Sequence, residues 1–163
     1  LLIVGEAPGA NEDKQGEPFV GRAGALLDKL FARAGIKRED TFITNIVKCR
    51  PPGNRDPEPE EIAACLPYLL EQIERVRPRV IVALGRFAAQ RLTGQWGQMG
   101  ALMGLADMTF HHPDGKFDPI PVMVLYHPSY LLRMVNSKKA NAKDVLSDSV
   151  TRLQSAWDLA LPF

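Results

Sequence analysis

Hydrophobic and polar positions along the 163-residue chain fall into two kinds of block. Short apolar runs at 1–4, 41–47, 79–84 and 121–126 read as buried strands, because a run without alternation leaves neither face of a sheet for water. Between them, apolar residues recur three and four apart. Ala25, Leu26, Leu27, Leu30, Phe31 and Ala34 predict a helix over 21–34, stopped by Gly35. Ile62, Ala63, Leu66, Leu69, Leu70 and Ile73 predict another over 60–76, with Pro67 marking a kink or a late start. A short helix fits 87–92, and Val145, Leu146, Val150, Leu153 and Trp157 share one face of a helix over 140–161. Residues 10–20 are polar and read as a loop. Residues 50–59 combine Pro, Gly and charge and cannot be regular structure. Residues 94–118, rich in Gly and Met, hold either a hairpin or a long surface excursion.

Strands alternating with helices imply a mostly parallel sheet covered on both faces, an α/β fold. Ligands in such folds bind outside the C-terminal strand ends. Those ends carry Gly5-Glu6-Ala7-Pro8-Gly9, Asn45 to Arg50, Gly85, and His127 to Arg133. In the first of these turns, small residues at 5, 7 and 9 let a ligand approach the backbone, Pro8 stiffens the bend, and Glu6 supplies its one charge. A plain structural turn is the alternative, but it would not require polar residues at two other strand ends.

Composition narrows the class without naming a function. With 45% hydrophobic and 24% charged residues, the chain suits one domain over 1–163. A net charge of +1 creates no global field for a polyanion, so any nucleic-acid surface must be a local basic patch. No apolar run approaches the ~20 residues of a membrane span, and no signal peptide is visible, so a cytoplasmic location is expected. Cys49 and Cys65 do not make a disulfide framework. The chain opens inside a strand without Met, which leads to the expectation that an N-terminal segment has been left out.

Several blocks together resemble the family 4 uracil-DNA glycosylases. They are Gly5-Glu6-Ala7-Pro8-Gly9, Glu12-Asp13, Pro18-Phe19-Val20-Gly21-Arg22-Ala23-Gly24, Thr44-Asn45-Ile46-Val47-Lys48-Cys49-Arg50-Pro51-Pro52, and His127-Pro128-Ser129-Tyr130-Leu131-Leu132-Arg133. They occur in the family's order over nearly the whole chain. The resemblance implies a three-layer α/β/α sandwich around a four-stranded parallel sheet. It also implies a base-excision repair activity: uracil is flipped out of DNA and its N-glycosidic bond hydrolysed, leaving an abasic site.

Such chemistry needs a stacking surface, a reader for the base edge, and stabilisation of the departing anion. The resemblance assigns stacking to Phe19, for which a core aromatic is the alternative. Asn45 offers the donor and acceptor that uracil's O4 and N3–H require, and the backbone around Gly5 and Ala7 faces the base. His127 is the catalytic histidine of the family, placed to bond uracil O2. Better-known uracil glycosylases carry an Asp where Ala7 stands, so Glu6 and Glu12 become the candidate catalytic carboxylates, each with a solvated loop charge as its alternative. DNA contacts are expected from Ser129, Leu131, Leu132 and Arg133, with the leucines as wedges and Arg133, Lys138, Lys139 and Lys143 at phosphates. For the leucines, helix packing is an equal alternative. Lys48, Arg50 and Arg55 form a second basic cluster, and His111 and His112 read as surface residues.

In the family, Cys49 and Cys65 correspond to two ligands of a [4Fe–4S] cluster completed by an upstream Cys pair. This sequence has only two cysteines, so an intact cluster is not expected from these residues alone. The partner expected is uracil-containing DNA, with no membrane, and the chain is expected to act as a monomer. A covalent uracil-trapping type is disfavoured because residues 50–61 contain no His. The remaining alternative is a non-catalytic nucleic-acid-binding module on the same fold.

Overall fold

All four apolar runs pair side by side in the computed structural model, which describes residues 1–162. The strands are β1 (Leu2–Gly5), β2 (Phe42–Asn45), β3 (Ile81–Leu84), β4 (Thr109–Phe110) and β5 (Ile120–Leu125), in the spatial order β2-β1-β3-β5-β4. β2, β1, β3 and β5 are parallel, with Leu2 beside both Phe42 and Ile81, and Ala83 beside Val124. β4 pairs antiparallel with β5. The expected four-stranded parallel sheet is therefore a five-stranded mixed one. A two-residue strand inside a Gly- and Met-rich stretch has no periodicity to read, and it pairs with β5 rather than within residues 94–118.

Seven helices flank the sheet among the described residues: α1 (Ala10–Gln15), α2 (Arg22–Ala34), α3 (Pro59–Val76), α4 (Arg86–Thr93), α5 (Met99–Gly104), α6 (Pro128–Asn136) and α7 (Ala142–Ala160). Because successive strand side chains point to opposite faces, the strands divide their residues between two cores. Leu2, Val4, Ile81, Ala83, Val122 and Val124 pack with Leu69, Ile73, Ala88 and Leu102 of α3, α4 and α5. Ile3, Val82, Leu84 and Leu125 pack with Leu27, Phe31, Leu131, Met134 and Leu153 of α2, α6 and α7.

Three local expectations change. Residues 10–15, read as loop, form α1, which buries no residue and so shows no apolar stripe; Glu12 and Asp13 suit its first turn, and Gly16 ends it in the left-handed region. α3 starts at Pro59 behind a Glu58–Glu61 capping box and runs through Pro67 to Val76. Pro67 is exposed, so the carbonyl that loses its helical donor faces water. His112, read as a surface residue, is buried: its Nε2 lies 3.0 Å from Glu74 Oε1, its Nδ1 accepts from the Asp114 amide at 3.1 Å, and its ring meets Phe117 edge-on. This contact ties the loop before β5 to the end of α3. His111 is exposed as expected.

The strand order places the candidate site. The chain leaves β1 for β2 on one side and returns to β3 on the other, so the C-terminal ends of β1 and β3 open a crevice between diverging connections. No described helix is long and apolar enough to cross a membrane. Because α3 tolerates Pro67 only by forgoing one backbone hydrogen bond, Pro67→Ala is expected to raise stability by roughly 1–2 kcal/mol, read by urea unfolding. A loss of stability would show that the ring itself is a needed contact.

Candidate active site

A cleft of about 510 Å³ opens at the crevice. Glu6, Ala7 and Pro8 line it from the turn after β1, Asn45 from the end of β2, Gly85, Arg86 and Phe87 from the start of α4, and His127, Ser129 and Arg133 from α6. Phe19 and Glu12 close it from the first connection. A neighbouring hollow of about 380 Å³ shares Asn45 and Glu12 but lacks His127.

The tightest packing is at Gly5. A Cβ there would lie 2.6 Å from Phe19 Cζ and overlap Asn45 Oδ1, so only glycine lets the ring and the amide meet over the strand. Phe19 takes a positive φ of 53°, a strained conformation for an aromatic residue. Its loop is pinned around it. Glu12 Oε1 accepts from the amides of Val20 at 3.0 Å and Gly21 at 2.7 Å, and Arg38 Nη2 donates to Pro18 O at 2.6 Å. Gly24, in the first turn of α2, lies against the Phe19 carbonyl, where a Cβ would overlap it. The geometry thus gives Glu12 a positioning contact with the loop that carries Phe19.

Asn45 is 5% exposed, and its Oδ1 is buried without a hydrogen-bond partner among the described residues. An orphaned acceptor in a cleft costs about 1–3 kcal/mol unless a donor arrives. Behind it, Lys48 Nζ donates to the Asn45 carbonyl at 2.7 Å, Thr44 Oγ1 at 2.8 Å and Gln72 Oε1 at 2.7 Å. Burial pulls this ammonium down to about 8, with Cys65 acting the other way. Lys48, expected in a DNA-facing cluster, is turned inward.

His127 is the N-cap of α6, its Nδ1 accepting from the Ser129 amide at 3.2 Å with Ser129 Oγ at 2.8 Å. A ring that accepts at Nδ1 carries its neutral proton on Nε2. Burial, reinforced by the nearby Arg133 and opposed by Glu12, lowers its pKa to about 4. The imidazole is therefore a neutral donor at pH 7. Its ring centroid is 5.6 Å from that of Phe19.

Glu6 is half-buried in the cleft. Burial and the neighbouring Asp56 raise its carboxyl above the usual range, and Arg86 opposes them. Arg86 and Asp56 were not singled out from the sequence. Arg86 follows Gly85 at a strand end, a position the strand-end rule covers, whereas nothing in the Pro-rich loop marks Asp56.

Not every expected DNA residue reaches the surface. Leu131 is 1% exposed and packs in the α2–α6–α7 core, a correction to its wedge role: the apolar face of α6 needs it there. Leu132 is half-buried, and Arg133, Lys138, Lys139 and Lys143 are exposed. Arg133 and Lys139 both lie over the Tyr130 ring, at 5.9 and 6.0 Å. Arg55 is paired with Glu61 at 2.8 Å, and Arg50 bonds Asn54 Oδ1 at 2.8 Å. Cys49 is exposed, and Cys65 Sγ accepts from the Lys48 amide at 3.2 Å, beside the peptide leading to Cys49. No group of three or more His, Cys, Asp or Glu among the described residues could hold a metal ion. Two thiols supply half of the four ligands of a [4Fe–4S] cluster, so the residues present do not fit that group by themselves.

Two outcomes follow from this geometry. Gly24→Ala should cost about 1–3 kcal/mol in denaturant unfolding by forcing α2 from the Phe19 carbonyl; a wild-type midpoint would mean the loop yields freely. The His127 nitrogens should show the neutral Nε2–H pattern by NMR at pH 6 and protonate near 4. Since the unfolded chain takes up this proton first, His127 makes stability fall as pH drops from 6.5 toward 4. A midpoint near 6.5 would show an open, hydrated ring.

The model of the uracil DNA glycosylase superfamily matches residues 1–149. The chain is 47% identical over 139 residues to the type-4 uracil-DNA glycosylase of Archaeoglobus fulgidus, covering 81% of this chain and 66% of that protein. To the type-4 enzyme of Thermotoga maritima it is 49% identical over 133 residues, covering 82% and 66%. A type-5 uracil-DNA glycosylase of Pyrobaculum aerophilum is 34% identical over 147 residues, covering 80% and 62%. The chain thus spans about two thirds of the length of the curated relatives it matches. With a family match that runs from β1 into α7 and near-half identity to several type-4 proteins, this chain belongs to the uracil DNA glycosylase superfamily, in its type-4 branch.

Proposed function

We propose that this chain removes uracil from DNA by hydrolysing the N-glycosidic bond of a flipped-out deoxyuridine, acting as a monomer and leaving an abasic site. The observation that carries the reading is the pairing of two groups in one cleft. Neutral His127 has Nδ1 engaged by Ser129 and so carries its proton on Nε2, while Asn45 Oδ1 is buried and has no partner among the described residues. Uracil offers a complement to both, since its N3–H donates and its O2 and O4 accept.

In the proposed reaction the base leaves the stack and lies against Phe19. Asn45 Oδ1 accepts from N3–H and its Nδ2 donates to O4. The His127 Nε2–H donates to O2, where negative charge accumulates as the C1′–N1 electron pair departs with uracil. A neutral donor fixed by a helix cap needs little reorganisation in a water-poor cleft, and such electrostatic help is commonly the largest catalytic term. Water then bonds C1′ of the oxocarbenium ion. Glu6, the cleft carboxylate, accepts the proton that this water loses, and the uracil anion is later protonated by solvent. Ala7 and Pro8 supply wall rather than acid–base chemistry. Glu12 acts through the Phe19 loop. Leu132 is the wedge candidate, and Ser129 and Arg133 meet the phosphate backbone.

Incubation with a uracil-containing oligonucleotide followed by alkali should cleave the strand at the uracil. Intact strand would favour the non-catalytic DNA-binding reading. His127→Ala is expected to lower kcat about 100-fold or more with an unchanged circular-dichroism spectrum. Unchanged kcat would remove His127 from the role of anion stabiliser.

A further inference from the structure

We propose that Phe87, Arg91 and Trp96 form a stacking platform for a base of the DNA strand adjoining the flipped nucleotide, in single-stranded form. The inference rests on reading the cleft as the uracil site, and extends it outward.

α4 begins in the cleft, where Phe87 lines the wall. Residues four apart on a helix are neighbours, and Arg91 lies with its guanidinium 5.4 Å from the Phe87 ring centroid. After the helix, Gly94 at φ 69° turns the chain back, bringing the Trp96 ring 5.1 Å from the same guanidinium. A continuous ladder of flat groups therefore runs from the cleft wall to an indole outside it.

That indole stands out from a braced loop. It is 67% exposed, yet its loop is pinned by Gln90 Nε2 to Gly97 O at 3.1 Å, by the Gln95 amide to Thr93 Oγ1 at 3.2 Å, and by Thr93 Oγ1 to Ala89 O at 2.7 Å. Arg91 makes no ion pair or hydrogen bond among the described residues, so its charge is not neutralised by a protein carboxylate. With Arg86 and Arg133 in the cleft wall, Arg91 adds a further positive charge along the same path.

These features select a polyanion bearing flat rings. Nucleobases stack on aromatic and guanidinium faces whatever their sequence, while phosphates follow the positive charge. A base within a duplex has both faces occupied, so the platform suits an unpaired strand. Continuity with the cleft fixes which strand: the one that delivers the uracil.

Trp96 and Trp157 are the two tryptophans of the chain. Trp157 packs against the core, so Trp157→Phe leaves Trp96 as the reporter. Its emission should be quenched by a uracil-free single-stranded oligonucleotide and recover in high salt. In excision assays, Trp96→Ala should raise KM for a long single strand about five-fold or more, the equivalent of one lost base stack, at constant kcat. Trp96→Phe should restore most of the loss, and the effect on KM should shrink as the oligonucleotide is shortened toward the uracil. If the protein excises uracil but Trp96 emission does not respond and Trp96→Ala leaves KM for the long strand unaltered, the platform is refuted and the exposed face is left to a protein partner. If no uracil is excised, the cleft reading fails instead, and the emission titration still decides whether DNA meets Trp96.

Discussion

The backbone of Gly5 is where three distant segments become one site. The Phe19 ring, from the first connection, and the Asn45 amide, from the end of β2, meet over it at distances that any Cβ would abolish. Everything around them serves to hold that approach. Glu12 and Arg38 pin the Phe19 loop, Gly24 lets α2 seat against its carbonyl, and Lys48 grips the backbone of Asn45. The strained φ of Phe19 is sustained by these contacts, which over-determine its conformation.

Burial and helix capping set the chemistry of the opposite wall. A solvated histidine with a pKa near 6.5 would be partly charged at neutral pH. His127 is dried by its surroundings, faces Arg133, and spends Nδ1 on the first turn of α6. These influences act in one direction, leaving a neutral ring with one donor. Glu6 is shifted the other way in the same cleft: burial and the nearness of Asp56 raise its carboxyl above the usual range, while Arg86 restrains the shift. One environment thus acts on two titratable groups, lowering the proton affinity of the His127 ring and raising that of the Glu6 carboxylate.

The cations near the site differ in what they hold. Lys48 is spent internally on a trio of oxygen acceptors behind Asn45, whereas Arg55 pairs with Glu61 at the exposed rim of the cleft. Arg86 and Arg133 line the cleft, where they face the carboxylates of Glu6, Glu12 and Asp56.

Much of the architecture is legible in the local pattern of the chain. Four apolar runs gave four parallel strands, and the polar residues at their C-terminal ends are those the cleft gathers, because in a parallel sheet strand order and strand polarity leave little freedom over where loops converge. Periodicity could not reveal α1, which buries nothing, or β4, which is two residues long. Nor could it assign a direction to a side chain. Leu131 and Leu132 are equally apolar and adjacent, yet helical geometry sends one into the core and leaves the other half-exposed. Lys48 and His112 read as surface residues from their chemistry, and the fold turned both inward because Gln72 and Glu74, on α3, wait there as partners. Which residues stand at a site is written in local pattern; which way each one faces depends on contacts between segments far apart in the chain, and only the tertiary structure decided that.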